Sequence, residues 1–230
     1  MAIRHINVYA MQVVYEDNHL IIVNKAVGEI VQGDKTGDTP LSEDVKRYIK
    51  EKYAKPGNVF CGVVHRLDRP VSGLVVFART SKALERMNRM FRDGEVHKTY
   101  WALVQDCPER PEALLEDWLV SDGRINKTFV TSPGTKDAKL SRLEYHTIVQ
   151  GDRYTLLEVR LLTGRKHQIR AQLANIGCPI KGDLKYGAKR SNPDGGISLQ
   201  SHSIQFVHPV SKQEIVLELP PTPEMQKIMG

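Results

Sequence analysis

The 230-residue chain is 40% hydrophobic and carries 17 glycines, a balance found in soluble globular domains and not in disordered, collagenous or membrane-spanning chains. With 33 Lys and Arg against 27 Asp and Glu, its net charge of +6 favours an anionic partner, without separating nucleic acid from a membrane surface. The three cysteines, Cys61, Cys107 and Cys178, are odd in number and lack a Cys-x-x-Cys, so neither a disulfide framework nor a zinc ribbon is legible.

The first residues carry no uninterrupted apolar stretch of the signal-peptide kind, and no apolar run approaches the roughly 20 residues of a spanning helix. A cytoplasmic protein without a membrane partner is expected. Residues 13–15 and 20–23 read as strands around the polar turn Glu16 to His19, followed by a loop over 24–38. Thr39 and Pro40 open a helix whose Leu41, Val45, Tyr48 and Ile49 share a face, ending near Tyr53 before Lys55-Pro56-Gly57-Asn58. Residues 74–78 suit a buried strand. Ser81 is expected to cap a helix with Leu84, Met87, Met90 and Phe91 on one face and Gly94 as its stop.

Residues 96–104 have strand composition, with Lys98, Tyr100 and Ala102 on one face. Residues 105–139, broken by Pro and Gly and mixed in charge, yield no assignment. Residues 143–149 and 154–162 form a hairpin turning at Gly151-Asp152. Ile169, Leu173 and Ile176 mark a helix stopped by Gly177, and strands over 203–207 and 214–219 precede a Pro-rich tail. Helices and strands mix without βα alternation, so the expected class is α+β, a largely antiparallel mixed sheet with flanking helices. By length alone, one large domain and two tightly joined halves are both open.

Chemistry concentrates in two places. His65-Arg66-Leu67-Asp68-Arg69-Pro70-Val71-Ser72-Gly73 runs into an apolar strand and surrounds one carboxylate with cations, three if His65 is charged. Composition alone leaves Asp68 open, either solvated and salt-bridged or held ionised as a nucleophile or base at the mouth of a sheet. The second place is Thr163-Gly164-Arg165-Lys166-His167-Gln168-Ile169-Arg170, a helix opening with three basic residues and no acid. Like charges there oppose the helix dipole unless an anion such as a phosphate binds. Arg170 lies at the edge of the apolar stripe, able to reach a neighbouring element.

Nucleotide-binding glycine motifs, a complete kinase signature, zinc-hydrolase spacings and Gly-x-Ser-x-Gly are absent. The chemistry therefore rests on Asp, Tyr, Arg and Lys without a cofactor.

These motifs resemble those of the RluA-type pseudouridine synthases over roughly residues 13–219. Val64 to Ala78 matches the family's H-R-L-D-x-x-[TV]-S-G stretch, His97 to Val104 its K-x-Y-x-A-x-V strand, and Thr163 to Arg170 and Ile180 to Gly187 follow in order. The resemblance implies the pseudouridine synthase fold, with the whole chain, 1–230, as one catalytic domain of two closely joined halves around the active-site cleft, and an isomerase acting on uridines of structured RNA, an rRNA or tRNA stem-loop, as a monomer. It implies catalytic Asp68, an active-site Tyr100, Arg170 paired with Asp68, and Arg66 displacing the target base. His65, Arg69, Arg165, Lys166, His167, Lys181, Lys185, Lys189 and Arg190 are the remaining candidates for RNA contacts. Two departures stand out: Lys25-Ala26-Val27-Gly28 lacks the family's proline, and no N-terminal S4-type module is expected. A catalytically silent RNA-binding or ribosome-assembly factor on this fold is the competing reading, and a metal-dependent nuclease lacks a carboxylate cluster.

Charge sharpens the picture. Seven basic residues face two acidic ones between positions 66 and 92, and eight face one between 160 and 190. The modest net charge thus conceals a basic side on a mildly acidic body, and RNA affinity should fall steeply with salt.

Overall fold

The computed structural model describes residues 11–34 and 37–230, so the expectation drawn from the first residues lies largely outside them. In chain order the elements are β1 Gln12–Glu16, β2 Leu20–Lys25, α1 Leu41–Lys52, β3 Gly62–Val63, β4 Ser72–Ala78, α2 Ser81–Asp93, β5 His97–Gln105 and β6 Glu112–Asp122. They continue with β7 Lys127–Thr131, β8 Lys139–Gln150, β9 Tyr154–Leu161, α3 Gln168–Asn175, β10 Leu199–Val207, β11 Glu214–Glu218 and α4 Pro223–Met229.

Among the described residues eleven strands form one sheet, ordered β1-β2-β4-β10-β5-β9-β8-β6-β7, with β11 beside β10 and β3 beside β4. The fold is α+β and largely antiparallel, as expected, with β4 and β10 paired in parallel. Among the described residues no helix is long and apolar enough to cross a membrane.

Alternation along β2 builds both faces of the sheet. Ile21 and Val23 join α1 and α3 in one core, whereas Leu20 and Ile22 join α2 in the other. β4 is covered on both sides, which is why Leu74 to Ala78 is continuously apolar. Each fully buried Leu, Ile or Phe contributes about 1.5–3 kcal/mol of transfer free energy.

One row across the sheet prepares the site. Lys25 pairs with Gly73, Gly73 with Ser201, Ser201 with Tyr100, and Tyr100 with Val159. Gly73 has φ 117°, and a Cβ there would meet Ser201 O at 2.4 Å, so only glycine lets β4 close onto β10 at this row.

Several local expectations are corrected. Thr80 rather than Ser81 caps α2, its side chain accepting the Ala83 N–H, and α1 starts after Pro40 without a side-chain cap. The unassigned stretch 105–139 holds β6 and β7, and the Pro-rich tail holds α4. The His167 backbone lies just before α3, not within it, at φ 51°.

Candidate active site

Asp68 lies in the loop between β3 and β4, where its carbonyl accepts the Val71 N–H at 3.0 Å and turns the chain into β4. Lys25 holds this loop from within the protein. Its fully buried ammonium donates to the carbonyls of Val71 at 2.6 Å, Ala26 at 2.9 Å and Arg69 at 3.2 Å. Burial pushes Lys25 down to about 8, with the charges of Glu29 and Asp68 pulling the other way.

Arg170 arrives from α3 and is 5% exposed. Its Nη1 donates to Asp68 Oδ2 at 3.0 Å, while Nε and Nη2 donate to Asp183 Oδ2 at 2.7 Å and Oδ1 at 2.9 Å. The guanidinium carbon also lies 4.9 Å from the centre of the Tyr186 ring. Burial opposes the Arg170 charge, but Asp183 and then Asp68 outweigh it and hold the group above the ordinary arginine value.

Tyr100 stands in the row described above, 6% exposed. Burial pushes its hydroxyl up to about 12, the Asp68 charge adds to the shift and a hydrogen bond with Ser201 opposes it. The phenol is therefore neutral at physiological pH.

A polar chain approaches Asp68 from the other side. The Thr128 N–H donates to Tyr186 Oη at 2.9 Å, and the Tyr186 hydroxyl and His167 Nδ1 share a hydrogen bond, also at 2.9 Å. The other ring nitrogen, Nε2, lies 3.5 Å from Asp68 Oδ2. Burial pushes His167 down to about 4 despite the pull of Asp68.

A family model described as RNA pseudouridylate synthase matches residues 19–175, a span that includes Asp68, Tyr100 and Arg170. The chain belongs to that family. The chain is 31% identical to a ribosomal large subunit pseudouridine synthase C of Pasteurella multocida, over 95% of this chain and 67% of that protein. It is 29% identical to a tRNA pseudouridine synthase C of Vibrio parahaemolyticus, over 90% of this chain and 89% of that one. The human RNA pseudouridylate synthase domain containing 4 superposes with a TM-score of 0.78 at 20% identity, covering 95% and 91% of the two chains, and shares the fold. The protein is thus an RNA pseudouridine synthase of the RluA type, an isomerase that converts uridine in RNA to pseudouridine.

On this synthase the sequence-derived residues divide. Asp68, Tyr100 and Arg170 converge, and Arg66, Arg165, Lys166, Lys185, Lys189 and Arg190 are exposed. Arg69 is exposed too and pairs with Asp38 at 2.6 Å. Three of the expected phosphate contacts are engaged within the fold. Burial pushes His65 down to about 3, and its Nε2 accepts the Val76 N–H at 3.1 Å against the Phe91 ring, so it is no third cation around Asp68. His167 is buried, neutral and turned to Asp68. The Lys181 ammonium pairs with Glu224 of α4 and lies over the Tyr154 ring.

Sequence reasoning missed Lys25, Asp183 and Tyr186. Asp183 did carry a signal, being the sole acid between residues 160 and 190.

Proposed function

We propose that this synthase works on the ribose of the target uridine through Asp68, held by Arg170, with Tyr100 under the base and Arg66 taking the place of the extruded nucleotide. The observation that carries this reading is the 3.0 Å bond from Arg170 Nη1 to Asp68 Oδ2, inside a site walled by buried Tyr100 and His167.

The reaction breaks the N1–C1′ bond, turns the uracil, joins C5 to C1′ and moves the C5 proton off carbon, with no net change in atoms. A carboxylate suits the sugar end. Asp68 either attacks C1′, as the nucleophile of a retaining glycosidase does, or removes the 2′ proton to give a glycal. Arg170 supplies the counter-charge that a site dried by the bound base requires. The Tyr100 ring stacks on the base, worth about 1–3 kcal/mol. Because its phenol is neutral, the hydroxyl accepts the C5 proton while passing its own to solvent water, and N1 of the turned uracil takes up a proton in exchange, so the proton count is unchanged.

Extrusion costs a few kcal/mol, which favours unpaired or weakly paired uridines of structured rRNA or tRNA. Arg69, Arg165, Lys166, Lys185, Lys189 and Arg190 meet the phosphates. The enzyme needs no cofactor and works as a monomer in the cytoplasm.

RNA tritiated at uridine C5 tests the reading. The wild-type protein should release tritium and the Asp68→Asn variant should bind RNA without release; release by that variant would remove Asp68 from the chemistry. Comparing pseudouridine maps of rRNA and tRNA from cells with and without the protein identifies the target.

A further inference from the structure

Beside the Asp68 site, a cavity of about 260 Å³ opens between β7 and α3. We propose that it is a second nucleotide pocket, receiving an unpaired base next to the target uridine in the same RNA strand. This rests on Asp68 being the reaction centre.

Its walls have the chemistry a nucleotide needs. Phe129, on a strand at the end of the sheet order, leaves 40% of its surface in solvent, an apolar area that the fold itself does not cover. Tyr186 forms another aromatic wall. The Lys127 ammonium lies 5.3 Å from the Phe129 ring centre and 5.2 Å from that of Tyr186. Among the described residues it has no ion-pair or hydrogen-bond partner, so it is free to take a phosphate. Ala171 and Ala174 share one face of α3 and leave a shallow floor, and the Asn175 amide can meet a base edge. Rings that stack with any base, a cation for its phosphate and an amide for its edge together fit a nucleotide better than a peptide side chain.

Position supports the same occupant. Tyr186 is the ring that packs on Arg170, and its hydroxyl receives the Thr128 N–H from between Lys127 and Phe129. One side chain therefore separates the pocket from the partner of Asp68. A base seated here would fix the strand beside the extruded uridine and press on the Thr128–Tyr186–His167 chain that ends 3.5 Å from Asp68.

The test is a cycle between protein and RNA. Phe129→Ala and Phe129→Leu should each raise KM for a structured RNA by about tenfold, with a smaller effect on kcat, and Phe129→Tyr should restore it. Melting temperatures of the variants identify any loss caused by misfolding, and Phe129→Leu keeps the apolar volume if Phe129→Ala does not fold. RNAs with one abasic nucleotide at each position flanking the target are then compared. At one position the abasic substitution should weaken wild-type binding about tenfold and leave Phe129→Leu binding nearly unchanged, because the partner ring is already gone. Additive losses at every position, or an unaltered KM, would overturn the pocket. Repeating the cycle as equilibrium binding in an Asp68→Asn background reads the pocket without turnover. Tritium release by Asp68→Asn would then count against Asp68 alone, whereas additivity in the binding cycle would count against the pocket alone.

Discussion

Asp183 grips Arg170 through two hydrogen bonds, 2.7 Å from Nε and 2.9 Å from Nη2, whereas Asp68 receives one at 3.0 Å. Asp183 is 1% exposed, so the plane of the guanidinium is set from behind the site and its remaining edge is presented to Asp68. A planar fork can serve two carboxylates in this way, and a lysine ammonium cannot.

Asp183→Asn keeps the side-chain shape and removes the charge. Leaving a buried guanidinium short of one partner should lower stability by about 3 kcal/mol in urea denaturation. With Arg170 less fixed, kcat should fall more than about tenfold (1.4 kcal/mol) while KM for RNA moves less. A variant with wild-type kcat would mean that Asp68 orients Arg170 unaided.

Gly73→Ala tests the row that carries Tyr100. The added Cβ would lie 2.4 Å from Ser201 O and 2.6 Å from Ser201 N, at a φ of 117° that L residues rarely adopt. Backbone atoms cannot step aside as a side-chain end can, so we expect a loss above about 4 kcal/mol and poor recovery of folded protein. A soluble variant with an unaltered melting temperature would show that β4 and β10 tolerate separation here.

The residues legible in sequence were those whose role is local. The stripe of Leu84, Met87, Met90 and Phe91 marked α2 because one apolar face meets one core, and the period-2 pattern of β5 placed Tyr100 on the face of Ala102. β6 was hidden because its residue types do not follow its alternating burial: Leu114 stands on the outer side, 54% exposed, and Asp117 on the inner side with Ala113, Leu115 and Leu119. The start of α4 was readable: Thr222 followed by Pro223 is a cap and a first-turn proline, masked by the two prolines before it. Asp183 and Lys25 are different. Their roles appear only when chain segments 13 and 46 residues apart meet, and no local pattern announces that.

Acid should unfold the protein in a way that His65 helps to set. Its folded value near 3 lies below the ordinary 6.5, so the unfolded chain binds a proton over this interval that the native state refuses. The stability His65 contributes is complete above about pH 6.5 and is lost as pH falls towards 3, at up to about 1.4 kcal/mol per pH unit. His167, lowered to about 4, acts in the same direction. His65→Phe retains stacking on Phe91 but leaves the Val76 N–H unpaired, costing about 1–3 kcal/mol at pH 7. Melting temperatures between pH 7 and 4 should fall less steeply in this variant than in wild type; parallel curves would mean that His65 titrates alike in both states.

Salt dependence separates the cations that meet RNA from those used in folding. Lys166 is exposed, beside the Asp68 site, and among the described residues has no ion-pair partner. Lys181, equally basic in sequence, is held by Glu224, by Asn192 Oδ1 at 3.4 Å and by the Tyr154 ring, so it is not available to neutralise a phosphate and displace a counterion from the RNA. In plots of log affinity against log salt, Lys166→Gln should reduce the slope by about 0.7 to 0.9, one phosphate contact, and Lys181→Gln should leave it unchanged while lowering the melting temperature. If Lys181→Gln reduced the slope by the same amount, the Lys181–Glu224 pair would have to open when RNA binds, and α4 would belong to the RNA-binding surface.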